Sequence, residues 1–247
     1  MVDTTAPRIQ SGVPGFDQIA GGGFVNGTVN VICGSPGSAK TLFALQFLHR
    51  GGWDHGETGL FVTLEESREA LRGVLQSFGL DVRQLETMGR VFLVDLAELR
   101  RRQKGSSDEA SVAGFNALSE LIKQMHSTRK IQRLALDSLT AAALYDQDDP
   151  AKLRQHMFQF VSDLRNLEGL TSVLLAESVD RLGEEPRHGI EHFMADSHVS
   201  LGLELMPGEM RRSLRVNKMR YTKHDSAKHP LLITGSGLEV EPESVVE

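Results

Sequence analysis

The sequence has few of the features that mark secreted or membrane proteins. Its single cysteine, Cys33, cannot form an intrachain disulfide, and the apolar run around it predicts a small buried side chain rather than a catalytic thiol. Eighteen consecutive apolar residues occur nowhere in the chain, and residues 1–12 lack the apolar segment of a secretory signal. We therefore expect a cytoplasmic protein that does not insert into membranes.

The charge balance gives little attraction to polyanions. The chain has 27 lysines and arginines against 33 aspartates and glutamates, a net charge of −6, so binding to nucleic acid would need a local basic patch. The basic run at 100–104 has no interleaved aromatic residues, and the segment 145–149 is acidic. We therefore do not expect nucleic acid as a partner.

Short apolar runs alternate with amphipathic segments along most of the chain. The apolar runs predict buried strands at 29–32, 59–64, 91–96, 133–139 and 171–176. Helical spacing of apolar residues predicts helices at 41–50, 67–79, 109–127 and 150–168. This alternation indicates an α/β fold with a mainly parallel central sheet flanked by helices. The 247 residues fit a single domain, 1–247, with an acidic tail from about residue 240.

The pattern changes after about residue 193. Two segments of alternating polarity, VSLGLEL and RSLRVNKMRYT, flank a turn signal at 206–209 and predict an antiparallel C-terminal hairpin. A period of two places five residues on one face of the second strand, followed by His224 at the next position of the same parity: Leu214, Val216, Lys218, Arg220 and Thr222. The cationic row on this face either binds phosphates, including those held by a neighbouring subunit, or forms a solvated strand face.

The stretch after the first predicted strand is similar to a phosphate-binding loop. Residues 34–41, GSPGSAKT, fit the pattern G-x-x-x-x-G-K-[ST] except at Ala39. In such a loop the backbone N–H groups face the phosphates, Lys40 reaches the β and γ oxygens, and the Thr41 hydroxyl binds magnesium. The alternative is an ordinary glycine-rich turn. The candidate nucleotide ligands are Gly34, Ser35, Pro36, Gly37, Ser38, Ala39, Lys40, Thr41 and Leu42.

Ala39 decides whether this loop can bind a nucleotide. If the position requires left-handed torsions, the Cβ atom costs roughly 1–2 kcal/mol, or about five- to thirtyfold in affinity. If the Cβ atom points at the phosphates instead, binding is lost. The sequence leaves both alternatives open.

Carboxylates follow two other predicted strands. Asp137 ends the run LALDS and fits a Walker B carboxylate that holds Mg²⁺ with Thr41, or else a turn cap. Glu65 and Glu66 follow LFVTL, and either could activate the attacking water. The competing interpretation is a capping box formed by Thr63 and Glu66. Because parallel strands end at one edge of the sheet, we expect these groups near the loop.

Six blocks in this order resemble the KaiC-like branch of the RecA-type P-loop ATPases and cover nearly the whole chain. They are SGVPGFDQIAGGGFVNG, GSPGSAKTLFALQFL, LFVTLEES, LALDS, RHGIEHFMADS and NKMRYTKH. The resemblance implies a RecA-like core that binds ATP and Mg²⁺, usually in a six-membered ring with ATP at subunit boundaries. It matches Gly37, Lys40 and Thr41 to phosphate and magnesium ligands, Glu65 and Glu66 to the catalytic glutamate pair, Asp137 to Walker B, and Lys218, Arg220, Thr222 and His224 to contacts with the adjacent protomer's ATP.

The sequence also departs from the family pattern. Tyr221 stands where the family usually has glycine, and Ala176 stands where relatives have a polar residue that senses the γ-phosphate. The clock protein of the family has a Ser-Thr phosphorylation pair where this chain has His192-Phe193, so autophosphorylation of that type is not expected.

Two hypotheses lead. The first is a slow, Mg²⁺-dependent ATPase that forms a homo-oligomeric, hexameric ring, in which Arg220 assists in trans, and acts as a regulatory or signalling protein. The second is a nucleotide-responsive scaffold without significant hydrolysis that partners a signalling or motility assembly. A DNA recombinase or helicase-like module ranks below both, because the acidic segment 145–149 repels phosphate backbones.

Overall fold

The computed structural model describes residues 6–102, 114–145, 149–180, 182, 189, 194–206 and 208–246. Its strands form one large mixed sheet and one short two-stranded ribbon. Within the described residues the strands are β1 (Arg8–Ile9), β2 (Phe24–Val25), β3 (Val29–Gly34), β4 (Gly59–Thr63), β5 (Val91–Asp95), β6 (Arg133–Asp137), β7 (Thr171–Glu177), β8 (Ser197–Met206), β9 (Glu209–Met219), β10 (Lys228–Thr234) and β11 (Gly237–Val240). The helices are α1 (Phe16–Ile19), α2 (Lys40–Asp54), α3 (Arg68–Ser77), α4 (Val82–Thr87), α5 (Leu96–Arg102), α6 (Phe115–Arg129), α7 (Leu139–Ala143) and α8 (Pro150–Arg165).

The large sheet has the strand order β11-β10-β9-β8-β3-β7-β6-β4-β5. The strands from β8 to β5 in this order are parallel, whereas β9, β10 and β11 join by antiparallel pairing. The predicted parallel sheet and the C-terminal hairpin are therefore confirmed. The ribbon pairs β1 with β2. No strand at β10 or β11 was predicted, because β10 contains Pro230 and β11 has only four residues.

Hydrophobic cores cover both faces of the sheet. On one face Ile32 packs with α2, α3 and α4, and on the other Val31 and Cys33 pack with α6, α7 and α8. Alternate residues of β3 thus enter opposite cores, which explains why the parallel strands read as continuous apolar runs. Cys33 is fully buried, as its setting predicted.

The helix boundaries follow local capping. Asp149 accepts hydrogen bonds from the N–H groups of Ala151 and Lys152, and Pro150 is the first residue of α8. Residues 109–113 of the predicted helix 109–127 lie outside the described residues, and α6 continues to Arg129. In the parts of the chain that the structure describes, no helix is long and apolar enough to span a bilayer.

The described part of the acidic tail runs beside β10. The Glu241 N–H donates to the Pro230 carbonyl, and the Val246 N–H donates to the Lys228 carbonyl. These bonds attach the chain to the sheet after β11 ends.

Candidate nucleotide-binding site

The predicted phosphate loop lies between β3, near the centre of the sheet, and α2. Its strand ends at Gly34 and its helix begins at Lys40. On one side β3 pairs with β7, and β6 and β4 follow, so the carboxyl ends of these parallel strands lie along one edge. An edge of this kind is where open α/β sheets bind ligands.

Ala39 adopts the left-handed conformation. Its φ of 79° and ψ of 25° place it in the αL region at the N-cap of α2. Its methyl group packs against the hydrophobic core that α2 shares with the sheet. We infer that the methyl group lies away from the concave side of the loop, which matches the first of the two alternatives for this residue.

Glycines let the loop fold tightly against the sheet. Gly37 has a φ of 83°, a conformation that glycine adopts without strain. A Cβ atom at Gly34 would collide with the Ser38 hydroxyl and would lie 2.8 Å from the Leu201 carbonyl oxygen. The hydroxyls of Ser35 and Ser38 are buried without a hydrogen-bond partner in the protein. Such orphaned polar atoms fit a loop whose partner is a bound anion.

The Lys40 side chain folds back into the loop. Its Nζ donates to the carbonyl oxygens of Gly34, at 2.8 Å, and Ser35, at 3.1 Å. Burial lowers the pKa of Lys40, and the nearby carboxylates of Asp137 and Glu177 oppose that effect. The ammonium group is therefore held inside the loop, where a phosphate ligand would meet it.

Thr41 and Asp137 meet as the sequence predicted. The Thr41 hydroxyl donates to Asp137 Oδ2 at 2.7 Å. Asp137 is buried at the end of β6, and burial raises its pKa to about 6 while the charges of Glu65 and Glu66 add to the rise. A hydroxyl and a carboxylate are hard oxygen ligands of the kind that Mg²⁺ prefers, so this pair fits the ion.

Glu65 lies beside the end of β6. Its Oε1 accepts a hydrogen bond from the Ser138 hydroxyl at 3.0 Å. The Thr63 hydroxyl accepts from the N–H groups of Glu65 and Glu66, which turns the chain at the end of β4. The structure thus brings the glutamate pair close to Asp137, which the raised pKa of Asp137 also reflects.

The capping box predicted as the competing interpretation is wrong. Helix α3 begins at Arg68, and Ser67 is its N-cap, with the Ser67 hydroxyl accepting from the Ala70 N–H. Ser67 caps the helix because the Thr63 hydroxyl already makes hydrogen bonds to the backbone of Glu66 in the turn after β4. Glu66 is therefore not committed to a helix cap.

Comparisons with known proteins agree with this geometry. A family model described as "ATPase: KaiC" matches residues 9–245. The chain belongs to the KaiC ATPase family. The crystal structure of a KaiC-like protein from Pyrococcus horikoshii OT3 is 32% identical, has a TM-score of 0.82, and the match covers 96% of this chain and 100% of that chain. The fold is accordingly of the RecA type.

Curated relatives include circadian clock proteins of the KaiC type. Circadian clock protein KaiC3 of Synechocystis is 38% identical over 97% of this chain and 46% of its own length. Circadian clock oscillator protein KaiC of Synechococcus elongatus is 31% identical over 95% of this chain and 44% of its own length. The chain spans about half the length of the curated relatives it matches.

The cationic group that the KaiC pattern predicts, Lys218, Arg220, Thr222 and His224, lies at the opposite end of the strands from the loop. We call this end, where the parallel strands begin, the amino edge. Arg220 donates its N–H to the Asp196 carbonyl, and the Asp196 N–H donates to the carbonyl of Val29, the first residue of β3. The phosphate loop follows the last residue of the same strand. At about 3.3 Å per residue the two ends of β3 are about 17 Å apart, so Arg220 does not reach the loop of its own chain.

The predicted alternation on β9 fails after Val216. Lys218 opposes His198 and Val216 opposes Val199, so Asn217 is an extra residue in the strand. This bulge shifts the parity, and Met219 rather than Lys218 joins Val216 in the core. The placement of Lys218, Arg220, Thr222 and His224 on the face of Leu214 and Val216 was therefore wrong.

The residues after Met219 form a turn rather than a strand. Tyr221, at the usual glycine position, has a φ of 62° and is 57% exposed. Thr222 is buried and its hydroxyl accepts from Arg8 Nη1 at 2.6 Å, while His224 Nδ1 lies 3.4 Å from the Thr222 carbonyl oxygen. The glycines at 21–23 pack closely against this turn, since a Cβ atom at Gly21 would lie 2.7 Å from the Lys223 carbonyl oxygen.

Sequence reasoning missed contacts that depend on long-range pairing. Arg212 Nε donates to the Gly37 carbonyl at 3.0 Å and so joins the hairpin to the phosphate loop. Ser138, which binds Glu65, and Arg8, which binds Thr222, were also missed. Only the position of Ser138 next to Asp137 could have signalled its role.

Of two departures from the family pattern, the structure describes the surroundings of one. Ala176 is fully buried, and on β7 it lies opposite Cys33 of β3, so an apolar pair occupies this place beside the loop. His192 and Phe193 lie outside the described residues.

Proposed function

We propose that the protein is an ATPase that hydrolyses ATP slowly with Mg²⁺, in a ring with ATP between subunits, and serves a regulatory or signalling role. The observation that carries the proposal is the conformation of Ala39. The alanine adopts the torsions that a glycine would have there, and its methyl group packs into the core. The loop can therefore offer its backbone N–H groups to phosphates as a glycine-containing loop would.

Each polar group at the carboxyl edge has a role in this proposal. The loop N–H groups and Lys40 bind the phosphate oxygens, and Thr41 with Asp137 holds Mg²⁺. When bound, the ion neutralises charge on the phosphate oxygens. Glu65 or Glu66 orients the attacking water and takes its proton. Neither His192 nor Phe193 has a hydroxyl group, so the proposal includes no autophosphorylation at that position.

Arg220 acts on the nucleotide of a neighbouring subunit in this proposal. It is too far from its own loop, and its side chain is 44% exposed at the amino edge. A guanidinium supplied in trans stabilises charge on the transferred phosphoryl group and typically accelerates the reaction by about 10³–10⁵. Lys218, Thr222 and His224 accompany it at the same edge.

Phosphate release from ATP tests the assignments. We expect magnesium-dependent release by the wild type, a strong loss in Arg220→Ala, and a strong loss in at least one of Glu65→Gln and Glu66→Gln. Glu120→Gln is the matched control, since this exposed glutamate pairs with Lys123 far from the loop. Rates equal to the wild type in both glutamate variants would reject the glutamates as the base.

The scaffold is the second candidate, and the buried Ala176 favours it. An apolar side chain beside the loop offers no hydrogen bond for sensing the γ-phosphate. Calorimetry with ATP, combined with phosphate release, separates the two: tight binding without turnover supports the scaffold, and absence of binding rejects both.

A further inference from the structure

A buried carboxylate lies beneath the cationic group at the amino edge of the sheet. Asp196 has a side chain that is 8% exposed, and Oδ2 accepts a hydrogen bond from the Val29 N–H at 3.0 Å. Two arginines approach the same carboxylate. Arg165 binds it with two nitrogens, Nε at 3.1 Å and Nη2 at 3.0 Å, and Arg220 Nη1 lies 3.4 Å from Oδ1.

Asp196 is itself fixed to the sheet. Its N–H donates to the Val29 carbonyl at 2.7 Å, and its carbonyl accepts from the Arg220 N–H at 2.9 Å. Arg220 is thus tied to Asp196 by its backbone and by its guanidinium. The parallel hydrogen bonds from Arg165, which also contacts the Met194 carbonyl, set the orientation of the carboxylate.

Three cationic side chains lie around Asp196. Among the described residues, Arg165, Lys218 and Arg220 surround this one carboxylate, and Lys218 Nζ donates to the Ala195 carbonyl at 2.8 Å. Burial lowers the pKa of Lys218, and the charges of Arg220 and Arg165 lower it further. The Arg220 side chain is the more exposed of the two arginines.

We propose that Asp196 and Arg165 form a positioning pair that holds Arg220 in the orientation needed for phosphate bound by a neighbouring copy of this chain. The inference rests on the proposed function, because it requires Arg220 to act in trans. Asp196 anchors the guanidinium at one nitrogen, and Arg165 fixes the carboxylate that provides the anchor. Less side-chain freedom remains to be lost when the phosphate is met.

The test compares phosphate release by Asp196→Asn and Arg165→Lys with Arg220→Ala and with the double variant Asp196→Asn/Arg220→Ala. Arg165→Lys keeps the charge but removes the two-nitrogen fork. We expect the first two to lower kcat by about ten- to a hundredfold with little change in KM, as for a misplaced group that acts in the transition state. The double variant should be no slower than Arg220→Ala.

The control variant is Glu86→Gln, which breaks a partly buried arginine–carboxylate pair with Arg72, 2.7 Å apart and remote from this end of the sheet. It should keep the wild-type kcat. Thermal unfolding of every variant separates lost positioning from lost folding. If Asp196→Asn does not fold, Arg165→Lys decides.

The outcomes distinguish this proposal from the one on which it rests. If the wild type releases no phosphate, or Arg220→Ala is as fast as the wild type, the proposed role of Arg220 is rejected. The positioning pair is then rejected as well, because it depends on that role. If Arg220→Ala is slow while folded Asp196→Asn and Arg165→Lys keep the wild-type kcat, the positioning pair alone is overturned. A further loss in the double variant beyond Arg220→Ala also overturns it.

Discussion

The two ends of β3 differ in the sign of the charge they gather. At the carboxyl end, the Lys40 ammonium lies near Asp137, Glu177 and Glu65, and the crowding of carboxylates contributes to the raised pKa of Asp137. At the amino end, the cationic side chains surround Asp196. One end is suited to a metal ion and the other to an anion. In the proposed ring, surfaces that differ in this way meet in head-to-tail contacts, which close when the rotation between subunits permits it.

Mixing two inactive variants tests this comparison most severely. Lys40→Ala removes the loop cation but keeps Arg220, whereas Arg220→Ala keeps the loop. We expect each alone to be inactive and a 1:1 mixture to recover about a quarter of the wild-type phosphate release, because about one boundary in four then has both parts. No recovery in rings that have exchanged subunits would contradict action in trans.

A control mixture uses Arg220→Ala with the double variant Lys40→Ala/Arg220→Ala. It contains intact loops but no Arg220, so it should stay inactive. Recovery there would place the assisting cation elsewhere.

Asp196→Asn should destabilise the protein at pH 8. The substitution leaves Arg165 and Arg220 facing each other without their shared counter-charge, and breaking such a partly exposed pair should cost about 3 kcal/mol. Urea unfolding measures the loss. Stability equal to the wild type would show that the carboxylate is not needed to hold the amino edge together.

The same chemical change at the other end of β3 should have the opposite sign. Burial raises the pKa of Asp137 to about 6 in the folded protein from its ordinary value of 3.8. Its contribution to stability is therefore present below pH 3.8 and lost as the pH rises through about 6. Asp137→Asn should stabilise the metal-free protein by at most about 3 kcal/mol at pH 8, and not at pH 3.5. Urea unfolding at both pH values checks this, and a loss of stability at pH 8 would contradict it.

The sequence predicted the carboxyl end of β3 much better than the amino end. Short sequence patterns determine the loop, its lysine and the strands that bring Asp137 and Glu65 together. Such patterns can be read directly from the sequence. The amino end depends on Asp196 pairing with Val29 and on a bulge at Asn217, which reversed the predicted face of Lys218. Neither the pairing nor the bulge leaves a periodic signal in the sequence.

Tyr221 and Ala39 provide a finer comparison, because both replace a glycine of the expected pattern and both have positive φ. Tyr221→Gly should relieve about 1–2 kcal/mol of backbone strain and lose about 0.5–1 kcal/mol through the freer unfolded chain. The exposed ring buries little, so we expect a net stabilisation of about 0.5–1 kcal/mol. Urea unfolding tests this, and a destabilised variant would mean that the tyrosine ring makes contacts that outweigh the strain.

Ala39→Gly should change stability least. The same relief of strain is offset by the freer unfolded chain and by the lost packing of a partly buried methyl group, worth at most about 0.8 kcal/mol, so the net effect is within about 0.5 kcal/mol of zero. The affinity for ATP should also stay the same, in place of the five- to thirtyfold loss that the left-handed torsions alone suggested from the sequence. The left-handed torsions are already present without ligand, so their cost falls on folding and not on binding. Calorimetry with Mg²⁺ and ATP measures this, and an affinity gain of about fivefold or more, equivalent to about 1 kcal/mol, would show that the methyl group obstructs the loop.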